Sequence, residues 1–341
     1  MTEFYEAPPV DDRAIWDLWL SMHYFPAATA VQEAGVFEAL EVEPLSLDDL
    51  ADKLSLNPKA LGVVMSLVAA LGLVNRREGV WRLTPHARTY LLSGTTYSWS
   101  PLFEIYKNGT PLHGELLSLL KTGKTPREDK PSDGWEAGKV PPDAARSIAK
   151  FMHAHSLPAA VAAARSGAFK GVKKLLDVGG GSGVFSIAAA QRNPSLRATI
   201  MDLDTMCDAA SELFVGSSGV ADRVDTIAVD MFREDWPIGY DALFFSNVFH
   251  DWDDDINAQL SKKSFDALPS GGRIFLHEIL MNDNENGPVT PASFSVLMLR
   301  GTKGKQYTFR ELTKYLEDAG FASVGAVQTS PYYSLVSAVK P

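Results

Sequence analysis

A glycine-rich loop is the segment of this sequence best suited to hold a ligand. It reads DVGGGSG from Asp177 to Gly183 and connects an apolar run to a segment with helical periodicity. Glycines in such a loop allow a tight turn and a close approach of the backbone to a ligand. A dinucleotide-binding Gly-x-Gly-x-x-Gly would place its third glycine at Val184 or Ser186, and the Lys-Ser/Thr of a P-loop is absent. The loop therefore indicates neither a dinucleotide nor a nucleoside triphosphate.

Acidic side chains follow the next two predicted strands. The second strand ends at Asp202, just before Leu203, and the third is followed by Asp230, Met231 and Phe232. An acid about 20 residues beyond a glycine loop is placed to accept both hydroxyls of a ribose. Asp230 can accept from an adenine amino group while Met231 or Phe232 packs on the ring. Taken singly, each acid is more typical of a solvated strand end, but together they predict a ligand at the carboxyl ends of these strands.

His250 is the candidate for proton transfer. It follows the fourth predicted strand in the segment SNVFHDW, from Ser246 to Trp252, and the fifth strand ends in His-Glu at Glu278. A carboxylate that binds one imidazole nitrogen fixes the tautomer, so that the other nitrogen can act as a base. A lone histidine near a helix start is more often structural, and Asp251 has an equally good interpretation as an N-terminal helix acid. The pairing with Glu278 favours catalysis.

These side chains require a parallel sheet to bring them together. The predicted strands are Lys174–Val178, Ala198–Asp202, Val224–Val229, Asp241–Asn247 and Arg273–Ile279, and the helices between them are Val184–Arg192, Met206–Phe214 and Asp255–Leu268. This alternation predicts an α/β, Rossmann-like domain whose sheet is covered on both faces. A last helix, Thr308–Ala319, and two apolar runs, Ala322–Val327 and Tyr332–Val339, predict an antiparallel hairpin at one edge.

The N-terminal region reads as helical, with the order of a winged helix. One apolar helix face is predicted from Ile15, Leu18, Trp19 and Met22. Ser46 and Asp49 resemble a capping box that opens a helix over Leu47–Leu54, and a second helix is predicted over Pro58–Leu71. Two short apolar runs, Leu73–Arg76 and Val80–Leu83, follow as a hairpin.

The composition disfavours several classes of protein. Among 341 residues there are 32 Lys plus Arg and 42 Asp plus Glu, so the net charge of −10 disfavours nucleic acid and anionic membranes as partners. The single cysteine allows no intrachain disulfide, which suits a reducing compartment. No apolar run reaches the roughly 18 residues of a membrane span, and the acidic N-terminus does not read as a signal peptide. We therefore expect a cytoplasmic protein with no membrane partner.

Taken together, the motifs resemble a known family. LLDVGGGSG, MDLD, DMF, VFHDW and HE, in this order and behind a winged-helix region, are similar to the small-molecule O-methyltransferases typified by the caffeate and hydroxyindole enzymes. The resemblance runs from about Ile15 to Val339. It implies S-adenosylmethionine (SAM) as cofactor, a small-molecule hydroxyl acceptor and a homodimer. The stretch Lys121–Asp143 is polar and holds four prolines and three glycines, which predicts a connection over residues 121–143. With the resemblance, this gives a dimerisation domain over residues 1–120 and a catalytic domain over 144–341.

The resemblance also implies roles for individual residues. His250 corresponds to the general base and Glu278 to one of its two carboxylate partners. The expected SAM contacts are Ser156, Asp177, Gly179, Gly181, Asp202, Leu203, Asp230, Met231, Phe232, Ser246 and Trp252. The expected acceptor pocket is lined by Phe103, Tyr106, Phe151, Met152, Phe249, Phe294 and Met298, although each alone is more typical of a core. Such a lining indicates an aromatic or polyketide-like acceptor.

Three positions depart from the family pattern. Gln306 stands where the second carboxylate is expected, and an amide can hydrogen-bond His250 but cannot stabilise an imidazolium by charge. Ser246 replaces a lysine found in plant members, and Asp204 replaces a proline. The change at Gln306 keeps open a SAM-binding protein that performs hydroxylation, decarboxylation, a pericyclic step, or C- or N-methylation.

Two further alternatives are weaker. A DNA-binding regulator would suit the winged helix, but the would-be recognition helix Pro58–Leu71 carries Lys59 as its only charge and should be buried. Metal-dependent methylation through His250, Asp251 and Glu278 lacks a tight ligand spacing, so no metal is expected.

Overall fold

The structure, a computed structural model, describes residues 14, 17, 18, 21–106, 138–283 and 288–341, with the backbone alone at residues 59, 60, 63 and 300. The chain divides into two compact units, residues 1–110 and 111–341. Most of the predicted connection 121–143, and Ile15 and Trp19 of the predicted N-terminal helix, lie outside the described residues.

The first unit packs short helices against a two-stranded hairpin. Its helices are α1 (Tyr24–Glu33), α2 (Val36–Val42), α3 (Leu47–Leu54), α4 (Pro58–Ala70), α5 (Pro85–Tyr90) and α6 (Ser100–Tyr106), and its strands are β1 (Val74–Arg77) and β2 (Val80–Leu83). The Ser46 hydroxyl accepts from the Asp49 N–H at the start of α3. Leu61, Met65 and Val68 of α4 are buried in the core of this unit, as their apolar spacing predicts.

The second unit contains a seven-stranded sheet in the order β5-β4-β3-β6-β7-β9-β8. The strands are β3 (Lys174–Val178), β4 (Arg197–Asp202), β5 (Val224–Ala228), β6 (Ala242–Ser246), β7 (Arg273–Ile279), β8 (Ala322–Gln328) and β9 (Tyr333–Val339). β3 to β7 pair in parallel, whereas β9 is antiparallel to both β7 and β8. The predicted fold class, including the antiparallel edge hairpin, is confirmed.

Helices cover both faces of this sheet. They are α7 (Pro142–Arg165), α8 (Val184–Arg192), α9 (Asp204–Leu213), α10 (Asp254–Ala267), α11 (Val289–Gly301) and α12 (Phe309–Ala319). Alternate side chains of β3 enter different cores: Leu175 packs in the cluster that includes α8, and Leu176 in the cluster that includes α12. Because both faces of the strand are buried, it carries apolar residues on both faces, and this short apolar run was recognisable in the sequence.

The sequence did not predict α7 or α11 as helices. The buried face of α7 is made of small residues, among them Ala145, Ala149, Ala159 and Ala163, so that its hydrophobic periodicity is weak. Proline 158 lies inside α7 and would be read as a break. In the part of the chain that the structure describes, no helix is long and apolar enough to cross a membrane.

Candidate active site

The glycine loop follows β3, and its acid is held inside the protein. The Ser186 hydroxyl donates to Asp177 Oδ2 over 2.7 Å. Burial raises the pKa of Asp177 to about 7. This carboxylate ties β3 to α8 through Ser186, so its interpretation as a direct cofactor contact stays a prediction.

Asp202 is fixed by two backbone N–H groups. Gly181 N–H donates to Oδ2 over 2.9 Å and Leu203 N–H donates to Oδ1 over 2.7 Å. Burial raises the pKa of Asp202 to about 6. A carboxylate oxygen can accept more than one hydrogen bond, so both oxygens keep capacity for a diol. Gly181 has a φ of 56° and a Cβ there would meet nothing within 4 Å, so that open space adjoins the loop.

Asp230 and its neighbours form a second group of predicted cofactor contacts. Asp230 Oδ1 accepts from the Phe232 N–H over 2.9 Å. Burial acts to raise the pKa of Asp230, but the Phe232 N–H and the Arg233 guanidinium outweigh it and lower the pKa. The Phe232 ring meets Trp252 edge to face, with centroids 4.7 Å apart. These two rings and Met231 belong to one apolar cluster.

Two of the predicted cofactor contacts are engaged with histidines. Ser246 Oγ lies 3.2 Å from His277 Nδ1, and Ser156 Oγ lies 3.3 Å from His155 Nδ1. Burial lowers the pKa of His277 to about 3. Burial, followed by repulsion from His250, lowers the pKa of His155 to about 4. Both rings are therefore neutral at pH 7. No role was predicted for either histidine from the sequence.

His250 is buried in a short 3-10 turn, Phe249–Asp251, with 4 % of its surface exposed. Its Nδ1 lies 3.1 Å from Glu278 Oε2 and 3.0 Å from Gln306 Nε2. The Val248 and Phe249 N–H groups both donate to Glu278 Oε1 over 3.1 Å. His250 Nε2 lies 3.7 Å from Asp251 Oδ1. The structure thus brings together the three predicted catalytic side chains.

Burial and the Glu278 carboxylate have opposite effects on the pKa of His250. Burial acts to lower the pKa of His250, but the Glu278 carboxylate, Asp251 and Gln306 outweigh burial and raise it. One ring nitrogen cannot donate to Glu278 and accept from Gln306 at once. With the Nδ1 proton directed at Glu278 Oε2, 3.1 Å away, the Gln306 amide suits the ring when it is turned so that its oxygen faces Nδ1. Nε2 then carries the lone pair of a base.

A segment after α11 packs directly on the backbone of His250. The Lys303 N–H donates to the Asp251 carbonyl over 3.0 Å. A Cβ placed on Gly304 would lie 2.2 Å from the His250 carbonyl oxygen, so that only glycine permits this approach. Gln306, two residues later, reaches the ring from the same segment. Sequence reasoning did not predict the packing of Gly304.

Two of the predicted pocket residues contact the histidines, and two more lie on the same two helices, α7 and α11. The Phe294 ring lies edge to face with His250, with centroids 5.3 Å apart, and Phe151 stacks on His155 at 6.0 Å. Met152 is half-buried on α7 and Met298 is buried on α11. All four are in the second unit, and their contact with an acceptor stays a prediction.

Of the other three predicted pocket residues, one belongs to a core of the second unit and two belong to the first unit. Phe249 is fully buried in a core cluster and meets Phe245 edge to face. Phe103 packs on the core of the first unit and meets Phe25 edge to face, and Tyr106 is half-buried in that unit. The described residues hold no group of three or more His, Cys, Asp or Glu that could bind a metal ion.

Comparisons with known proteins agree with this geometry. The O-methyltransferase domain family matches residues 131–322, and the O-methyltransferase dimerisation domain family matches residues 16–93. The 3-hydroxy-5-methyl-1-naphthoate 3-O-methyltransferase of Streptomyces sahachiroi is 33 % identical over 88 % of this chain and 86 % of its own. The L-tyrosine C(3)-methyltransferase of Streptomyces lavendulae is 26 % identical over 92 % of this chain and 87 % of its own.

Solved structures show the same fold. The crystal structure of human N-acetylserotonin methyltransferase in complex with SAM aligns with a TM-score of 0.81 at 21 % identity, covering 98 % of this chain and 99 % of that one.

Proposed function

The chain belongs to the family of SAM-dependent O-methyltransferases, and we propose that it methylates a hydroxyl group of a small aromatic or polyketide-like compound with His250 as general base. The observation that carries the proposal is the contact of His250 Nδ1 with Glu278 Oε2 at 3.1 Å, beside the carboxyl ends of the strands that follow the glycine loop. The relative from Streptomyces sahachiroi, whose name specifies 3-O-methylation of a hydroxynaphthoate, supports an aromatic acceptor.

The loop and its surroundings fit SAM. Asp202 offers oxygens fixed for a ribose diol, and Asp230 follows β5 beside the rings of Phe232 and Trp252. Ser182 Oγ is buried within the loop and has no partner among the described residues, so a ligand can supply one. When bound, SAM supplies a methyl group already activated by its sulfonium.

The protein's own task is to orient the acceptor and to take its proton. His250 Nε2 accepts the hydroxyl proton as the oxygen attacks, and that proton remains on the imidazolium. Glu278 stabilises the imidazolium through Nδ1, and its own position is held by two backbone N–H groups. The buried setting strengthens this interaction, because few water dipoles screen it.

Replacement of His250 tests the role of this residue. With isotopically labelled SAM and a panel of hydroxylated aromatic compounds, His250→Ala should lower kcat by about 10²–10⁴, the usual contribution of a general base. SAM affinity, measured by calorimetry, should stay nearly unchanged. Undiminished methylation by the variant would contradict the assignment.

C- or N-methylation, or a reaction without methyl transfer, is the second candidate. Gln306 favours it, because an amide supports an imidazolium less well than a carboxylate does. The C-methylating relative from Streptomyces lavendulae supports it as well. The position of the labelled methyl carbon in the product, determined by NMR, separates O-methylation from the two other sites of transfer.

We further propose that the chain acts as a homodimer through its first unit. The match to the dimerisation domain supports this, as do the exposed apolar side chains of Leu18 and Met22, which are 71 % and 60 % exposed.

A further inference from the structure

Asn247 lies between the cofactor loop and the acid–base pair. It directly follows β6, and the next two residues, Val248 and Phe249, donate their N–H groups to Glu278. Val248 also packs on the glycine loop, since a Cβ on Gly179 would lie 3.1 Å from its Cγ2. Neither the sequence motifs nor the proposed mechanism uses the Asn247 side chain.

The backbone of Asn247 has an unusual conformation. Its φ is 56°, in the left-handed region that few residues other than glycine adopt. The Asn247 N–H donates to the His277 carbonyl over 3.3 Å, and the Tyr333 hydroxyl donates to Asn247 Oδ1 over 3.1 Å. Strained residues that are held by several contacts concentrate at functional sites.

The Asn247 amide nitrogen is a buried donor without a partner. Only 6 % of the residue is exposed, and Nδ2 makes no hydrogen bond to any residue that the structure describes. Burial raises the pKa of Tyr333, so its hydroxyl keeps its proton and needs an acceptor. The amide oxygen must therefore face Tyr333, and the two N–H bonds of Nδ2 point away from it. Such a buried donor calls for a ligand atom that can accept.

Aromatic rings connect this donor to the base. Tyr333 meets His155 edge to face at 6.4 Å, and the His155 and Phe294 rings are 6.3 Å apart. Phe294 in turn meets His250 at 5.3 Å. The rings of His155 and Phe294 thus form a chain of contacts from Tyr333 to His250, and such aromatic surroundings suit a flat acceptor.

The charges nearby favour a neutral oxygen on that acceptor. Glu278 contributes a negative charge beside Asn247, and His155 is neutral because burial lowers its pKa. An anionic oxygen would be repelled by Glu278, whereas a neutral carbonyl oxygen would not.

We propose that Asn247 determines acceptor specificity: its Nδ2 donates to a carbonyl oxygen of the methyl acceptor that lies next to the reacting hydroxyl. This inference rests on the proposed O-methylation. In a free ortho- or peri-hydroxy carbonyl compound, the carbonyl binds the hydroxyl proton internally. A hydrogen bond from Asn247 to that carbonyl draws electron density from its oxygen, which weakens the internal bond and makes the hydroxyl more acidic, so that its proton passes more readily to His250 Nε2.

Matched acceptors test the inference. The probes are salicylaldehyde against ortho-cresol, and peri-hydroxytetralone against its counterpart without the carbonyl oxygen, with salicylate as the anionic member. The wild-type kcat/KM should favour each carbonyl compound by about 10- to 100-fold, as expected where a site is built to bond one polar group. Asn247→Asp keeps the oxygen that Tyr333 binds and tolerates the left-handed backbone, but it loses the donor. Asn247→Gly removes the side chain without adding charge.

In both variants, the ratio of kcat/KM for each carbonyl compound to that for its counterpart without the carbonyl should fall close to one. The control is Thr329→Val, which removes the hydroxyl that lies 2.9 Å from His277 Nε2 in the same polar cluster and should leave the preference intact. Circular dichroism confirms that each variant folds.

The outcomes separate the inference from the function on which it rests. A preference that persists in both Asn247 variants, or a wild type without one, overturns this inference alone. Preferred methylation of salicylate overturns the choice of a neutral oxygen. If the Asn247 variants lose SAM affinity but keep the carbonyl preference, the Nδ2 donor binds the cofactor's carboxylate, and this outcome also overturns the inference. A wild type that methylates none of the probes contradicts O-methylation of aromatic acceptors, and the inference falls with it.

Discussion

Replacing Gln306 by glutamate should make His250 more basic. Gln306 Nε2 lies 3.0 Å from His250 Nδ1, and Gln306 is buried. The substitution Gln306→Glu keeps the side chain length and places a carboxylate where the amide stands. A nearby anion favours the imidazolium, so the pKa of His250 should rise above its present, already raised value.

The size of the shift follows from two opposing effects. A unit charge at about 4 Å and an effective dielectric constant of about 20 contributes about 4 kcal/mol, or about three pKa units. The new carboxylate must also lose water and approach Glu278, which carries the same charge, and both effects oppose its ionisation. We therefore expect a rise of about one to two units, within the usual range for a buried opposite charge.

The pH profile of kcat measures this rise. His250 acts as a base only when it is neutral, so the rate falls as the pH drops through its pKa. A higher pKa moves this acidic limb to higher pH. Gln328→Glu, which adds the same charge at an exposed site on β8, should leave the limb in place. An acidic limb that stays in place in Gln306→Glu would mean that residue 306 does not influence the imidazole, contrary to this prediction.

Three further predictions concern other parts of the protein. SAM affinity should fall at least about tenfold in Asp202→Ala, because a hydrogen bond to a charged group contributes about 1.5–3 kcal/mol. In the wild type, SAM affinity should weaken as the pH drops below about 6, because the Asp202 carboxyl then takes up a proton. A SAM affinity that calorimetry finds unchanged in Asp202→Ala and independent of pH would contradict the assignment of Asp202 to the ribose. Gly304→Ala should lower kcat far more than it raises the KM for SAM, since its Cβ would displace the His250 backbone; equal effects would argue for general unfolding. Sedimentation at micromolar concentration should give a dimer that Met22→Glu weakens and Ile238→Glu, at an exposed site of the second unit, does not; a monomeric wild type would contradict the interface.

The sequence predicted the sheet well because its strands are buried on both faces. The ends of β3 and β7 were predicted as observed, β4 and β5 differ from the prediction by one residue at one end, and β6 differs by one residue at each end. Helix α7 was missed, since its packing surface is built from alanines and contains Pro158. Hydrophobic periodicity reports large apolar side chains, and a helix that packs through small ones gives little signal.

The candidate site was predictable to the extent that strand order implies proximity. Glu278 lies near the carboxyl end of β7 and His250 follows the adjacent parallel strand β6, so their proximity could be expected from the pattern alone. Gln306 could not be placed in this way, because it reaches the ring from a segment after α11, and its role came from a family resemblance. The internal bonds of Asp177 with Ser186 and of Ser246 with His277 were also beyond spacing arguments, which locate a side chain at a strand end without its rotamer.

The features that adjust the chemistry come from contacts that no motif contains. Glu278 is held by the N–H groups of residues 248 and 249, and the His250 backbone is held by the approach of Gly304. Two neutral amides, Gln306 and Asn247, lie beside these groups, and substitutions there change the charge or the hydrogen-bond donors near His250. Gln306 affects the pKa of His250, and Asn247 affects which acceptor is bound with its hydroxyl next to His250. If both assignments hold, Gln306→Glu will change the pH profile without the carbonyl preference, and Asn247→Gly will change the preference without the pH profile. A variant that changes both would show that the two amides act on the same step.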